Sequence, residues 1–163
     1  MLIYLKNKNK LIVDDFIFKC SVGKGGNTNK KIEGDLKTPI GKYEIGPLYY
    51  RADRIKKIFT KIKKIKIKKK FGWCNDINSK KYNKIIKISK KYKHEKLFRK
   101  DYKYDLLIPI KYNYKKTIAG KGSAIFIHLT KNYKPTAGCV ALKEKDFLIM
   151  LKLINKDSKI KIL

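Results

Sequence analysis

The sequence predicts a mostly β protein, a barrel or sandwich, closed by one C-terminal helix. Three observations predict it. Short apolar runs recur along the chain, punctuated by Gly, Pro and Asn, the alternation expected of strands and turns. A clear helical period appears only after Cys139. At 163 residues the chain is long enough for one real core, and residues 1–163 read as a single domain without repeat or linker.

Leu2–Leu5 and Leu11–Val13 flank Asn7-Lys8-Asn9 and predict a hairpin, with Phe16–Val22 as a third strand. Gly23-Lys24-Gly25-Gly26-Asn27 reads as a Gly-rich turn, because the Lys-Ser/Thr ending of a phosphate-binding loop is missing. Thr38-Pro39-Ile40-Gly41 fixes a turn before a strand at Tyr43–Ile45, with Asp35 and Thr38 placed to bond local backbone. Residues 51–70 stay open. Ile55, Ile58, Ile62 and Ile65 keep helical spacing, while Lys64-Ile-Lys-Ile-Lys alternates like a strand, and lysines give the segment a solvated face. Phe71–Asp76 reads as a turn carrying the only tryptophan, Trp73. Ile85–Ile88 reads as a short strand, and His94 as a solvated histidine in a polar stretch. Tyr104–Ile110 reads as a strand whose Pro109 marks an edge or a bulge. Gly120–Ser123 turns into a strand, Ala124–Leu129, that carries His128. Phe147, Leu148, Leu151 and Ile154 share one helical face, with Glu144 and Asp146 in the first turn, where the dipole favours acids. Ser158–Leu163 closes as a strand.

Composition narrows the partners. Lys+Arg number 43 against 13 Asp+Glu, a net charge of +30, which favours anionic partners: nucleic acid, anionic lipid or an acidic cell-wall polymer. No run approaches the ~18 consecutive apolar residues of a membrane span, and the first ten residues lack the order of an export signal. The three cysteines, Cys20, Cys74 and Cys139, have no metal-ligand spacing, so no metal is expected. Cys20 and Cys74 are either a disulfide pair or two buried thiols, the commoner fate.

The chemistry concentrates in His128 and in Thr136-Ala137-Gly138-Cys139-Val140. A thiol attacks a carbonyl as thiolate, and a free cysteine with a pKa of about 8.5 is mostly protonated at neutral pH. A histidine within reach can take that proton. Gly138 permits a tight turn whose backbone N–H groups would face a developing oxyanion. The turn is expected to expose the thiol, with Lys131 and Lys134 favouring thiolate. The group orienting the imidazole is a backbone carbonyl, Asp105 or Glu95.

On these residues the chain resembles the L,D-transpeptidase catalytic domain (YkuD) family, whose signature is His followed by Ser/Thr-x-Gly-Cys-Ile/Val. An upstream Thr-Pro-x-Gly is matched by Thr38–Gly41, and a small bacterial branch without extra modules is resembled along nearly the whole chain. The matching segments are Cys20-Ser-Val-Gly, Glu33-Gly-Asp, Tyr50-Arg51-Ala-Asp53-Arg54, Gly72-Trp-Cys, the His94-Glu pair and Gly122–His128.

The resemblance implies a mixed sheet or sandwich with Cys139 at one end of a cleft. It implies acyl transfer on peptidoglycan stem peptides without a cofactor. Cys139 would attack at the L-centre of the third residue, His128 would act as base then acid, and an amine of a second stem would resolve the thioester. Resolution by water would instead make an L,D-carboxypeptidase. The substrate implies a periplasmic or envelope location. Most members carry Arg two positions after the cysteine, where this chain has Ala141; Arg51, His94 or Lys143 could replace it. Thr136, Ala137, Arg51, His94, Trp73 and Tyr104 are the candidates for substrate contact. The competing class is a basic nucleic-acid-binding module using the Lys/Tyr interleaving of residues 82–116, although no binding motif is present and no specific nucleic acid is expected.

Overall fold

The computed structural model describes residues 1–163. The chain opens with a three-strand meander, β1 (Leu2–Lys6), β2 (Lys10–Val13) and β3 (Phe16–Ser21), all antiparallel. Asn7 and Lys8 take positive φ in the first turn. The Gly-rich turn leads to two short strands, β4 (Asn27–Thr28) and β5 (Thr38–Pro39), and then to β6 (Gly41–Glu44) and β7 (Leu48–Tyr50).

Residues 51–70 hold turns and β8 (Lys64–Lys66) but no helix, so the alternating reading holds locally and the helical one fails. Side chains fix this segment instead of a helical ladder. Arg54 donates to the carbonyls of Lys100 and Asp101 and pairs with Asp105 at 2.9 Å. Phe71–Asp76 is likewise not a turn: β9 (Phe71–Cys74) is the centre of a three-stranded sheet between β10 (Ile85–Lys87) and β11 (His94–Lys96). Gly72 hides the strand from a sequence reading. It is there because a Cβ would come within 2.8 Å of the Ile88 side chain.

The last elements are β12 (Leu106–Pro109), β13 (Phe126–Leu129), β14 (Val140–Leu142), helix α1 (Glu144–Leu153) and β15 (Lys159–Ile162). Pro109 is not on an edge, because β12 lies between β13 and β7. Its missing N–H falls where the β7 ladder lapses, and its carbonyl accepts from Gly46 N–H at 2.7 Å.

One ten-stranded mixed sheet, in the order β6-β15-β1-β2-β3-β14-β13-β12-β7-β8, carries the fold. This sheet must curl. Laid flat, β6 and β7 would stand about 38 Å apart at ~4.8 Å per strand, yet only Ile45-Gly46-Pro47 joins them. The Ile45–Ile110 bridge closes the gap. Of the barrel, sandwich and mixed sheet expected, the structure has the mixed sheet, curled on itself. Inside the curl, 24 buried apolar residues form the main core, including Phe147, Met150 and Leu151 of α1. A second cluster of 8 lies between the large sheet and the small one, and it contains Trp73, Tyr104, Phe126 and Cys139.

Candidate active site

β13 and β14 are parallel neighbours with His128 opposite Ala141. Side chains alternate across a strand. Ile127, Leu129, Val140 and Leu142 therefore enter the main core, while Phe126, His128, Cys139 and Ala141 face the other way. His128 and Cys139 line the same cleft, of about 520 Å³. Cys139, at the entry to β14, lies one diagonal step from His128 on β13.

The turn before the sulfur is tied down on both sides. Thr136 N–H donates to Val22 O at 2.8 Å, and Lys24 N–H donates to Thr136 O at 2.8 Å. The Thr136 hydroxyl donates to Cys139 O at 2.6 Å and accepts from Gly138 N–H at 3.1 Å. The Gly138 N–H, which the sequence offers to the oxyanion, is held by the Thr136 hydroxyl in the resting cleft. The Cys139 N–H has no acceptor in the chain and is the free donor beside the sulfur. Gly138 serves conformation: its φ is 135°, and an added Cβ would meet Lys37 O at 2.8 Å. Gly138→Ala is expected to cost about 2 kcal/mol or more of stability, read as a lower urea midpoint.

The thiol is not exposed as expected, with 7% of the residue accessible. Its Sγ donates to Ala124 O and accepts from Phe126 N–H, both at 3.3 Å. Burial pushes the Cys139 thiol up to about 12; Glu95 adds to the rise, and Phe126 N–H and Lys31 oppose it. Lys31, not Lys131 or Lys134, is the cation acting on the sulfur. It is itself buried and paired with Asp35.

His128 is equally enclosed. Its Nδ1 lies 2.9 Å from Leu129 O. A carbonyl only accepts, so Nδ1 carries the hydrogen and Nε2 keeps its lone pair. The orienting group is therefore this backbone carbonyl. Asp105 is paired with Arg54, and Glu95 accepts from the Tyr104 hydroxyl. Burial pulls the imidazole down to about 4; the Leu129 carbonyl opposes this, and Lys103 and Arg99 reinforce it. Thiol and imidazole thus rest as a neutral pair.

The imidazole shift has a stability consequence. Its folded value is depressed from 6.5 to about 4, so its contribution is present above pH 6.5 and is lost as pH falls through that window. The wild-type protein should lose about 3 kcal/mol between pH 6.5 and 4 beyond what His128→Asn loses. Paired denaturant titrations across that range measure it.

The other candidates divide. Thr136, Ala137 and Tyr104 line the cleft, and the Tyr104 ring meets His128 edge-on at 5.4 Å. Trp73 lies beneath it, edge-on to Phe126. Arg51 does not line the cleft: it stacks on Phe98 at 3.6 Å, pairs with Asp53 and donates to Arg99 O. Lys143 lies over the Tyr133 ring. His94 is half-buried rather than solvated and faces away, because register places it opposite Cys74 and its neighbour Glu95 opposite Trp73. Glu95 and Arg99 are among the cleft residues the sequence reading did not assign to substrate contact. Only the strand register separates Glu95 from His94. Cys20 and Cys74 are buried free thiols.

The family profile described as YkuD, the L,D-transpeptidase catalytic domain, matches residues 1–162. The chain belongs to that family. Its fold is also similar to the crystal structure of the helical cell shape determining protein Pgp2 from Campylobacter jejuni, with a TM-score of 0.51 and 20% identity. That likeness covers 99% of this chain and 46% of the other, so the chain spans less than half the length of this neighbour. A single-substitution variant of Pgp2 from the same organism matches at a TM-score of 0.49 and 20% identity, over 99% and 45% of the two chains. No curated protein matches the chain. In this YkuD domain Ala141 stands two positions after the cysteine, and the guanidinium that lines the cleft belongs to Arg99.

Proposed function

We propose that residues 1–163 act as one catalytic unit, a cysteine acyltransferase on peptidoglycan stem peptides. The observation that carries the reading is the pairing of a cleft-facing thiol with an imidazole whose Nδ1 is fixed and whose Nε2 is free. The Cys139 hydrogen passes to His128 Nε2 as the sulfur adds to the carbonyl at the L-centre of the third residue. The Cys139 N–H stabilises the oxyanion. His128 then returns the proton to the departing terminal D-amino acid, leaving a thioester. An amine of a second stem resolves it and forms a cross-link; water in its place gives trimming, the L,D-carboxypeptidase outcome. No step needs a cofactor.

Charge supports the substrate class. Arg99, Lys103 and Lys134 on the cleft wall suit the stem's terminal carboxylate, and the net charge of +30 suits an anionic polymer. Such a substrate places the protein's work at the cell envelope. No helix is long and apolar enough to cross a membrane. Tyr82 and Tyr104 are buried and Tyr102, Tyr112 and Tyr114 half-buried, which disfavours a stacking platform for nucleic acid.

The test is incubation with stem tetrapeptides and mass analysis of the products. Released D-amino acid with dimers is expected. Release with tripeptide alone would assign the hydrolytic outcome. No release under any condition would overturn acyl transfer.

A further inference from the structure

On β6, β15, β1, β2 and β3 the outer face of the curl is a field of lysines around an apolar centre. Ile3, Leu5, Leu11, Phe18 and Ile160 enter the main core. Side chains alternate across a strand, so their neighbours point outward. Register sorts those neighbours into rows. Tyr4, Ile12 and Ile17 are opposite one another, and Lys161 and Lys42 continue their row across β15 and β6. Lys6, Lys10 and Lys19 form the row on one side of it. Lys159, opposite Leu2, lies on the other side.

Such rows are costly, because like charges directly opposite one another repel. None of Lys6, Lys10, Lys19, Lys42, Lys159 and Lys161 is in a salt bridge. Glu44, which borders the field, is already held by Lys111 at 3.1 Å and Lys115 at 2.7 Å. Asp14, Asp15 and Asp157 lie in turns at the strand ends away from Lys6, Lys10 and Lys19. At its β6 edge the field deepens into a hollow of about 440 Å³, where Lys111, Lys115 and Lys116 join Lys42 and Lys159. Amid these charges Ile17 is 65% exposed, with Tyr4 and Ile12 half-buried beside it.

The mixture selects the partner. A soluble polyanion would satisfy the lysines and leave the isoleucine in water. A second copy of the chain would set +30 against +30. An anionic bilayer meets both needs: its phosphates take the ammonium groups, and its interface takes an aromatic ring and aliphatic side chains.

We propose that this face seats the protein on a membrane surface rich in anionic lipid, with Tyr4, Ile12 and Ile17 at the headgroup boundary and the lysines around them on phosphates. β1 stands about half-way round the curl from β13, so the seated protein presents its cleft away from the bilayer. The face is remote from Cys139 and works whether or not the cleft transfers acyl groups.

The experiment is co-sedimentation of the chain with vesicles of phosphatidylglycerol and phosphatidylcholine in equal parts, and with phosphatidylcholine alone. Binding to the first and none to the second is expected. Each lysine at an anionic surface is worth about fivefold in affinity, so Lys6→Gln, Lys10→Gln and Lys161→Gln together should weaken binding about 100-fold. Removing the same charge from the loops of the small sheet, with Lys80→Gln, Lys81→Gln and Lys91→Gln, should cost less than about fivefold. All six side chains are exposed, so both triple variants should keep the fold, which circular dichroism checks. Ile17→Ser should cost about tenfold. Emission from Ile17→Trp protein should be quenched by brominated phosphatidylglycerol, while the parent's buried Trp73 is not. Equal losses from the two lysine triples, or an unquenched Ile17→Trp, would overturn the proposal. Tighter binding to polyphosphate or an oligonucleotide, unchanged by Ile17→Ser, would also overturn it and make the face a polyanion groove.

Discussion

Cys139→Ala protein should release no D-amino acid from a stem tetrapeptide and form no covalent adduct, while keeping its fold. The fold part follows from packing. The sulfur contributes a few contacts at the edge of the smaller cluster, and its only hydrogen bonds are the two long ones to Ala124 O and Phe126 N–H. The activity part is absolute, because the two other cysteines are elsewhere. Cys20 lies in β3 facing the main core, and Cys74 is fully buried in the small sheet. Intact-mass analysis of both proteins after a short incubation checks it: a peptide-sized increment on the parent and none on the variant. An increment that persists in Cys139→Ala protein would move the nucleophile to another residue.

The second large effect belongs to His128. His128→Gln removes Nε2 as proton acceptor while a side-chain amide can still reach Leu129 O, so the strand pairing should survive. General acid–base groups contribute roughly 10²–10⁴-fold, and the acylation rate should fall within that range. The loss should sit at the upper end, since a thiol held near 12 has almost no resting thiolate to fall back on. Rapid-quench mass spectrometry of the thioester reads it. A loss under tenfold would mean that something other than this imidazole takes the proton.

Periodic elements were legible in the sequence. The opening hairpin, α1 and β15 each bury one regular set of side chains, so residue spacing alone marks them. β9 was not, because Gly72 and the brief Phe71–Cys74 run resemble a turn until a neighbouring strand needs the space a Cβ would take. Residues 51–70 defeated the periodicity reading because Arg51 and Arg54 hold that backbone through distant carbonyls and carboxylates. At the site, the Cys139 and His128 pairing was visible as chemistry, but its electrostatics were not. A Thr-x-Gly-Cys turn says nothing of Ala124 and Phe126 closing over the sulfur, nor of Lys31 approaching from a loop remote in sequence. The exchange of His94 for Glu95 is a matter of strand parity: adjacent residues face opposite sides, and only pairing with Trp73 decides which one meets the cleft.

The resting state of the pair is a neutral thiol beside a neutral imidazole. The measurement is the rate at which a small neutral alkylating reagent modifies Cys139, located by peptide mapping, from pH 6 to 10. With the thiol near 12 rather than at the ordinary value of about 8.5, modification at pH 8 should be roughly 2,000-fold slower than for an unperturbed thiol, rising about tenfold per pH unit without a plateau. A rate already flat and fast at pH 7 would show a standing thiolate–imidazolium pair and contradict it.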